Sequence, residues 1–344
     1  MLEDSTLKNS VRLERFMDSG EIETDLRLTS NLRPDTFDDY PGQTVAKENL
    51  KVYVESAKKR NKTLDHILLH GPPGLGKTTL AHIVAHEMGV SFHATSAPAI
   101  ERAGDLAGIL AGLEPGSILF IDEIHRLPIQ LEELMYSAME DFAMDILVGQ
   151  GSSARTMRVP VSPFTLIGAT TRVSLLSRPF QSRFGIQERL EFYDIASLMK
   201  IVARTSDILS IKIDRDALEL IALSSRGTPR IANRILKRVW DFALVADLET
   251  INEEIALRAL SRLDIDSHGL DRTDRVILRT IWERYDGGPV GIEAIAVSIG
   301  EDRSTVEEVY EPFLVFQGYL SRGPRGRSIT ESGKTVLIEP QATM

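Results

Sequence analysis

The chain has 344 residues, 42% of them hydrophobic and 26% charged, a globular composition with room for two or three domains and unlike that of a disordered chain. It contains no cysteine, which excludes disulfides, thiolate catalysis and Cys-containing zinc sites, and no run near the ~18 apolar residues of a membrane span. A net charge of −10 excludes a uniformly basic surface for nucleic acid but leaves room for a local basic patch.

Residues 1–30 read as a loosely ordered polar arm, and without a basic run followed by an apolar stretch they carry no secretory signal, so the expected setting is cytoplasmic. Leu32-Arg33-Pro34 and Tyr40-Pro41-Gly42-Gln43 mark turns ahead of a helix over Val45 to Lys59. From Ile67 to about Phe184 apolar strands alternate with amphipathic helices, which predicts an α/β domain over 31–185 built on a parallel sheet. Helices follow one another from Ile195 to Leu263 with a break at Gly227-Thr228-Pro229, predicting a small all-helical domain over 186–263. The remainder, 264–344, reads as helices over Asp274 to Tyr285, Ile292 to Ile299 and Thr305 to Glu311, then two short strands around a Gly-Pro-Arg-Gly turn. That is a winged-helix arrangement.

Within the first domain, Gly71-Pro72-Pro73-Gly74-Leu75-Gly76-Lys77-Thr78 fits the phosphate-loop pattern G-x-x-x-x-G-K-[ST] at every fixed position. The strand Ile67-Leu68-Leu69 precedes it, and a helix with apolar positions 80, 83, 84 and 88 follows and stops at Gly89, as the motif requires. Gly74 and Gly76 let backbone N–H groups close on phosphates, Thr79 continues the helix start, Lys77 reaches the terminal phosphates of ATP and Thr78 takes Mg²⁺. Ser117 to Ile121 forms a buried strand that delivers Asp122 for the magnesium shell and Glu123 to polarise the attacking water. Phe164 to Ala169 forms another, ending in Thr171, placed to sense the γ-phosphate; His125 is given no role.

Together with the phosphate loop, Leu-Phe-Ile-Asp-Glu-Ile-His-Arg-Leu, Ile-Gly-Ala-Thr-Thr-Arg, Arg-Phe-Gly-Ile and Arg-Gly-Thr-Pro-Arg-Ile-Ala-Asn-Arg resemble, in order and spacing, the RuvB family of AAA+ ring motors. The likeness runs from about Leu32 to Arg327. It implies a homo-hexamer with ATP between subunits, an AAA+ domain with its helical lid, and ATP-driven branch migration of Holliday junctions in recombination and repair. It further implies that Leu32, Arg33, Tyr193 and Asp141, Phe142 and Ala143 line the nucleotide pocket, that Arg230 is the lid's sensor, and that Arg183 is a finger reaching the neighbouring subunit's ATP. From the residues alone Arg183 reads as a surface ion pair, and Gln181 stands where the family's pattern leads us to expect a further arginine.

Met144, Ile146 and Val148 alternate against Met157, Val159 and Val161 across Gly149 to Ser153, predicting a hairpin over about 143–162. The resemblance makes it the dock for RuvA, the junction-binding partner, with Ile146 and Leu147 as contacts and a RuvC-like resolvase as a further partner; an edge hairpin packed on its own domain is the alternative. In the last domain Glu307, Glu308 and Glu311 make base reading by the third helix unfavourable. Arg322, Arg325 and Arg327 on the wing are placed to grip DNA phosphates without reading sequence, the alternative being a protein-binding winged helix. Two rival functions stay open from residues alone: a clamp-loader or initiator ATPase, and a nucleotide-switched DNA-binding regulator.

Overall fold

The computed structural model describes residues 32–148 and 155–338. The polar arm expected over 1–30 and the expected hairpin turn lie outside the described residues. Helix α1 (Thr44–Arg60) leads into β1 (Ile67–His70), α2 (Lys77–Met88), β2 (Phe92–Ser96), α3 (Ala103–Ala111), β3 (Ile118–Asp122) and α4 (Ile129–Asp141). The antiparallel pair β4 (Ala143–Val148) and β5 (Arg155–Pro160) follows, in the register Ala143 opposite Pro160, and Val161 falls just outside it. Then come β6 (Thr165–Thr170), α5 (Arg178–Gln181) and β7 (Ile186–Arg189).

Five strands form one parallel sheet in the order β2-β3-β6-β1-β7. Every residue of β6 and the first three of β1 are buried, as expected for strands covered by helices on both faces. One face packs α3 and α4 through Leu106, Leu110 and Met135. The other packs α1 and α2 through Leu50, Leu80 and Val84, and that apolar cluster continues unbroken into the helical lid.

The lid consists of α6 (Ile195–Ile208), β8 (Lys212–Ile213), α7 (Arg215–Leu223), α8 (Pro229–Val245), β9 (Thr250–Ile251) and α9 (Glu253–Arg262). Asp194 and Asn252 cap α6 and α9 by accepting from the amides of Ser197 and Ile255, so neither first turn leaves all its N–H groups unpaired. The parallel two-residue strands β8 and β9 depart from the all-helical expectation; two residues are too few to leave a periodic signal.

The winged-helix portion comprises α10 (Arg272–Arg284), α11 (Ile292–Ile299), α12 (Arg303–Thr305), a π-helical stretch Val306–Tyr310, α13 (Glu311–Phe316), β10 (Leu320–Gly323), β11 (Gly326–Ile329) and α14 (Glu331–Ile338). It has its own core around Leu278, Ile295, Phe313 and Leu314. The third helix, expected over Thr305 to Glu311, runs on past Pro312 to Phe316. The wider π turn absorbs the donor that proline lacks and lets the chain continue. Arg226 of the lid roots this domain: it is 8% exposed, donates to Asp271 at 2.8 Å and to the fully buried Asp274 at 2.9 Å, and lies 4.6 Å from the Phe313 ring centre. Breaking such a buried pair costs about 3–5 kcal/mol, so this contact persists while the fold does.

Candidate active site

Three adjacent strands, β3, β6 and β1, end at one edge of the parallel sheet and deliver the chemistry there. After β1 the chain turns through Gly71, Gly74 and Gly76, all at positive φ (143°, 80° and 92°). A Cβ at Gly71 would lie 2.4 Å from the Leu190 carbonyl oxygen, and one at Gly76 would lie 2.8 Å from the Tyr40 hydroxyl, so the loop closes only with glycine at these points. It feeds the N-terminus of α2, where free backbone N–H groups and the helix dipole favour phosphate.

Lys77 opens that helix and is 7% exposed. Its ammonium donates to the carbonyls of Gly71 at 2.8 Å and Pro72 at 2.9 Å, holding the loop on itself. Burial pulls its pKa down to about 8, against the opposing pull of Asp122 and Glu123. The charged form is therefore half populated near pH 8 and fades above it, whereas a phosphate beside the amine would restore the proton. ATP affinity should accordingly fall about fivefold between pH 8 and 9, with net proton uptake detectable by calorimetry in buffers of different ionisation enthalpy. Pure pH-independence would show that Lys77 keeps its charge unaided.

Asp122 ends β3, and its carboxylate accepts from the Glu123 amide at 2.9 Å, which fixes the left-handed turn that Glu123 adopts at φ 49°. No group of three or more His, Cys, Asp or Glu suited to a metal exists among the described residues. The donors on offer here are hard oxygens, the Thr78 hydroxyl and the Asp122 carboxylate. That set fits Mg²⁺, which binds through one or two protein oxygens and completes its shell with water and substrate phosphates.

Glu123 does not stand alone. Its Oε2 lies 3.2 Å from Nδ1 of His125 and accepts from the Thr171 hydroxyl at 3.4 Å, while the same His125 nitrogen is 2.9 Å from Oγ1 of the fully buried Thr170. Burial lowers the pKa of His125 despite the charge of Glu123, so at neutral pH the ring acts as a hydrogen-bonding strut. The place of His125 depends on burial against β6, which no spacing in the sequence reveals.

Tyr193 and Tyr40 are joined hydroxyl to hydroxyl at 2.8 Å beneath the loop, and Tyr193 also donates to the Leu75 carbonyl at 3.1 Å. Burial pushes the Tyr193 phenol up to about 12, so it remains a donor throughout the physiological range. The carbonyls of Leu32 and Arg33 accept from Arg204 of the lid, and burial, then the nearby charge of Arg230, lower the pKa of Arg33. Arg230, in the first turn of α8, reaches the loop itself: its amide lies 3.5 Å from the Gly74 carbonyl oxygen. Leu32, Arg33, Tyr193, Arg230 and the phosphate loop thus converge.

Arg183, Asp141, Phe142 and Ala143 do not join them within one chain. The Met139 carbonyl meets His66, and the Ile186 amide meets the His66 carbonyl, just before β1 begins. These residues therefore sit at the sheet edge opposite the loop, a full strand away, roughly 13 Å at 3.3 Å per residue. There Arg183 pairs with Glu140 at 3.2 Å, donates to the Pro179 carbonyl at 2.7 Å and lies 4.4 Å from the Tyr136 ring centre. Gln181 holds this corner together by donating to the carbonyls of Val173 and Leu176, both at 2.9 Å, two acceptors that its single amide nitrogen satisfies. Asp141 is paired with Arg158 of β5 at 3.1 Å.

Three family models match in succession, described as the Holliday junction DNA helicase RuvB P-loop domain over residues 32–190, the RuvB AAA lid domain over 193–266 and the RuvB C-terminal winged helix domain over 267–338. The chain belongs to the RuvB family. A relative from Bdellovibrio bacteriovorus, named Holliday junction branch migration complex subunit RuvB, is 51% identical over 95% of this chain and 99% of its own length. One of the same name from Myxococcus xanthus is 55% identical over 89% of each. The solved structure titled Thermotoga maritima RuvB Holliday junction branch migration motor aligns with a TM-score of 0.81 at 49% identity, over 89% of this chain and 98% of that one. The chain is thus a P-loop ATPase of the RuvB family.

On the wing the structure corrects one expectation. Arg322 and Arg325 are exposed, but Arg327 is buried at 9% exposure and bound through two bonds of 2.9 Å to Glu311, itself 3% exposed. Arg327 therefore neutralises a buried acid and is not available to phosphate. The side chains of Ile146 and Leu147 lie outside what is described; their backbones pair with Met157, which is 50% exposed, and Thr156.

Proposed function

We propose that the chain is the ATP-driven motor subunit of a Holliday junction branch migration complex, working as a hexamer on duplex arms presented by a RuvA-like partner. The observation that carries this is the union in one RuvB-family chain of a complete phosphate-loop site on three adjacent strand ends with a winged-helix domain rooted on its lid. A magnesium ion held by Thr78 and Asp122 would neutralise charge on the phosphates. Lys77 binds the terminal phosphates, Glu123 orients the attacking water, and Thr171 and Arg230 sense the γ-phosphate. Arg183, with Asp141, Phe142 and Ala143 beside it, faces the ATP of a neighbouring subunit, which is why these residues lie a strand away from their own loop.

The cytoplasm is the setting of this proposal, with a RuvC-like resolvase as a further partner and the β4–β5 hairpin as the RuvA dock; no described helix is long and apolar enough to cross a membrane. Turnover and strand exchange should be followed on a synthetic four-way junction with and without RuvA. Stimulation by one linear sequence, with none by junctions, would favour the regulator reading instead.

Grip on DNA should come from Arg322 and Arg325. Alanine at either is expected to weaken binding evenly across sequences and to reduce the slope of log affinity against log salt by about 1. Alanine at Arg327 should act differently, leaving Glu311 buried and unpaired at about 3–5 kcal/mol of stability with no selective change in salt slope. Equal salt effects from all three would contradict the buried pairing.

A further inference from the structure

Arg172, the residue after Thr171 at the end of β6, reaches out of the ATPase domain. Its guanidinium pairs with Glu308 and lies 3.9 Å from Glu307, both on the π-helical turn of the winged-helix domain. Glu307 is shared, being also 3.7 Å from Arg303 and 3.9 Å from Arg322, while Glu308 has Arg172 as its ion-pair partner among the described residues. Inward, the Arg172 amide donates at 2.9 Å to the Thr170 hydroxyl, the one that meets His125 and, through it, Glu123. An unbroken series of polar contacts thus joins the water-orienting carboxylate to the domain that carries the wing.

The two ends of that domain are held unequally. Arg226 and its two aspartates form a buried root, whereas Arg172, Glu307 and Glu308 each keep a quarter to a third of their side chains in solvent, so their contact is screened and separable. Pi turns inside α-helices concentrate at functional sites, and this one places the two acids at the contact.

We propose that Arg172 is a positioning residue through which the winged-helix domain restrains Glu123. With the pair closed, the loop 170–172 is held, and Glu123 stays engaged with His125 and Thr171. When DNA draws the domain away about its Arg226 root, the pair opens, the loop relaxes and the carboxylate is released toward the attacking water.

The inference rests on reading the chain as a DNA-driven ATPase. The test is Glu308→Gln in the full chain, with ATPase measured with and without saturating duplex DNA at one salt concentration. DNA-independent kcat should rise severalfold at unchanged KM, and the stimulation factor should shrink toward one. Combining Arg172→Glu with Glu308→Arg should restore the low basal rate and the stimulation, which a purely structural role for either residue would not do. A Glu308→Gln protein with wild-type basal rate and stimulation, or a charge swap no better than its single changes, overturns the inference. Wild-type protein that DNA fails to stimulate overturns the motor reading itself, so the two failures are distinct.

Discussion

Changing Glu123 to glutamine is expected to lower ATP turnover by about 10²–10⁴, the range for removal of a positioned proton acceptor, while nucleotide still binds. The substitution keeps the shape of the side chain and the backbone turn, because the Glu123 amide donates to Asp122 whatever its side chain carries. Lys77, Thr78 and the glycine loop are untouched, so a fluorescent ATP analogue should be held as tightly as by the parent. What is lost is the charge proposed to orient water, together with its contact to His125. Single-turnover quench separates the two steps; rapid hydrolysis with slow release would show that another residue takes the proton.

Alanine at Arg183 is expected to reduce turnover by about 10³–10⁵, the range measured for arginines inserted at a neighbour's phosphates. The geometry makes this effect collective. In its own chain Arg183 lies at the sheet edge opposite the phosphate loop, tied to Glu140 and Tyr136, so its removal leaves the local nucleotide contacts intact. Mixing Arg183→Ala subunits with Lys77→Ala subunits should therefore recover some activity, because a mixed interface can combine an intact loop with an intact arginine. Inactivity in every mixture, alongside normal assembly, would place Arg183 in a structural role.

The phosphate loop could be read directly because its requirements are local: glycines at positive φ, a lysine at the helix start and an apolar strand before it lie within a dozen residues. The same holds for the parallel sheet, whose apolar strands are short and regularly interrupted. What escaped depends on contacts distant in sequence. His125 gains meaning only where β3 and β6 lie side by side, bringing Thr170 to its ring across 45 positions. Arg327 looks like its exposed neighbours Arg322 and Arg325 until the wing folds back on Glu311. Alternation along β11 carries the explanation, since residues 327 and 329 point inward and 326 and 328 are half-covered, but the arginine obscured that period. The far end of the third helix escaped as well, because one wide turn carries it past Pro312, a residue that normally ends a helix.

Helix α8 meets the phosphate loop through Arg230 near its first residue and extends for 17 residues, roughly 25 Å at 1.5 Å per residue. A rod of that length pivoting at one end magnifies what happens there. Five degrees of tilt at Gly74 would sweep the far end through roughly 2 Å. A small change at a single phosphate would thus reach the far end of the lid as a displacement of a few ångströms.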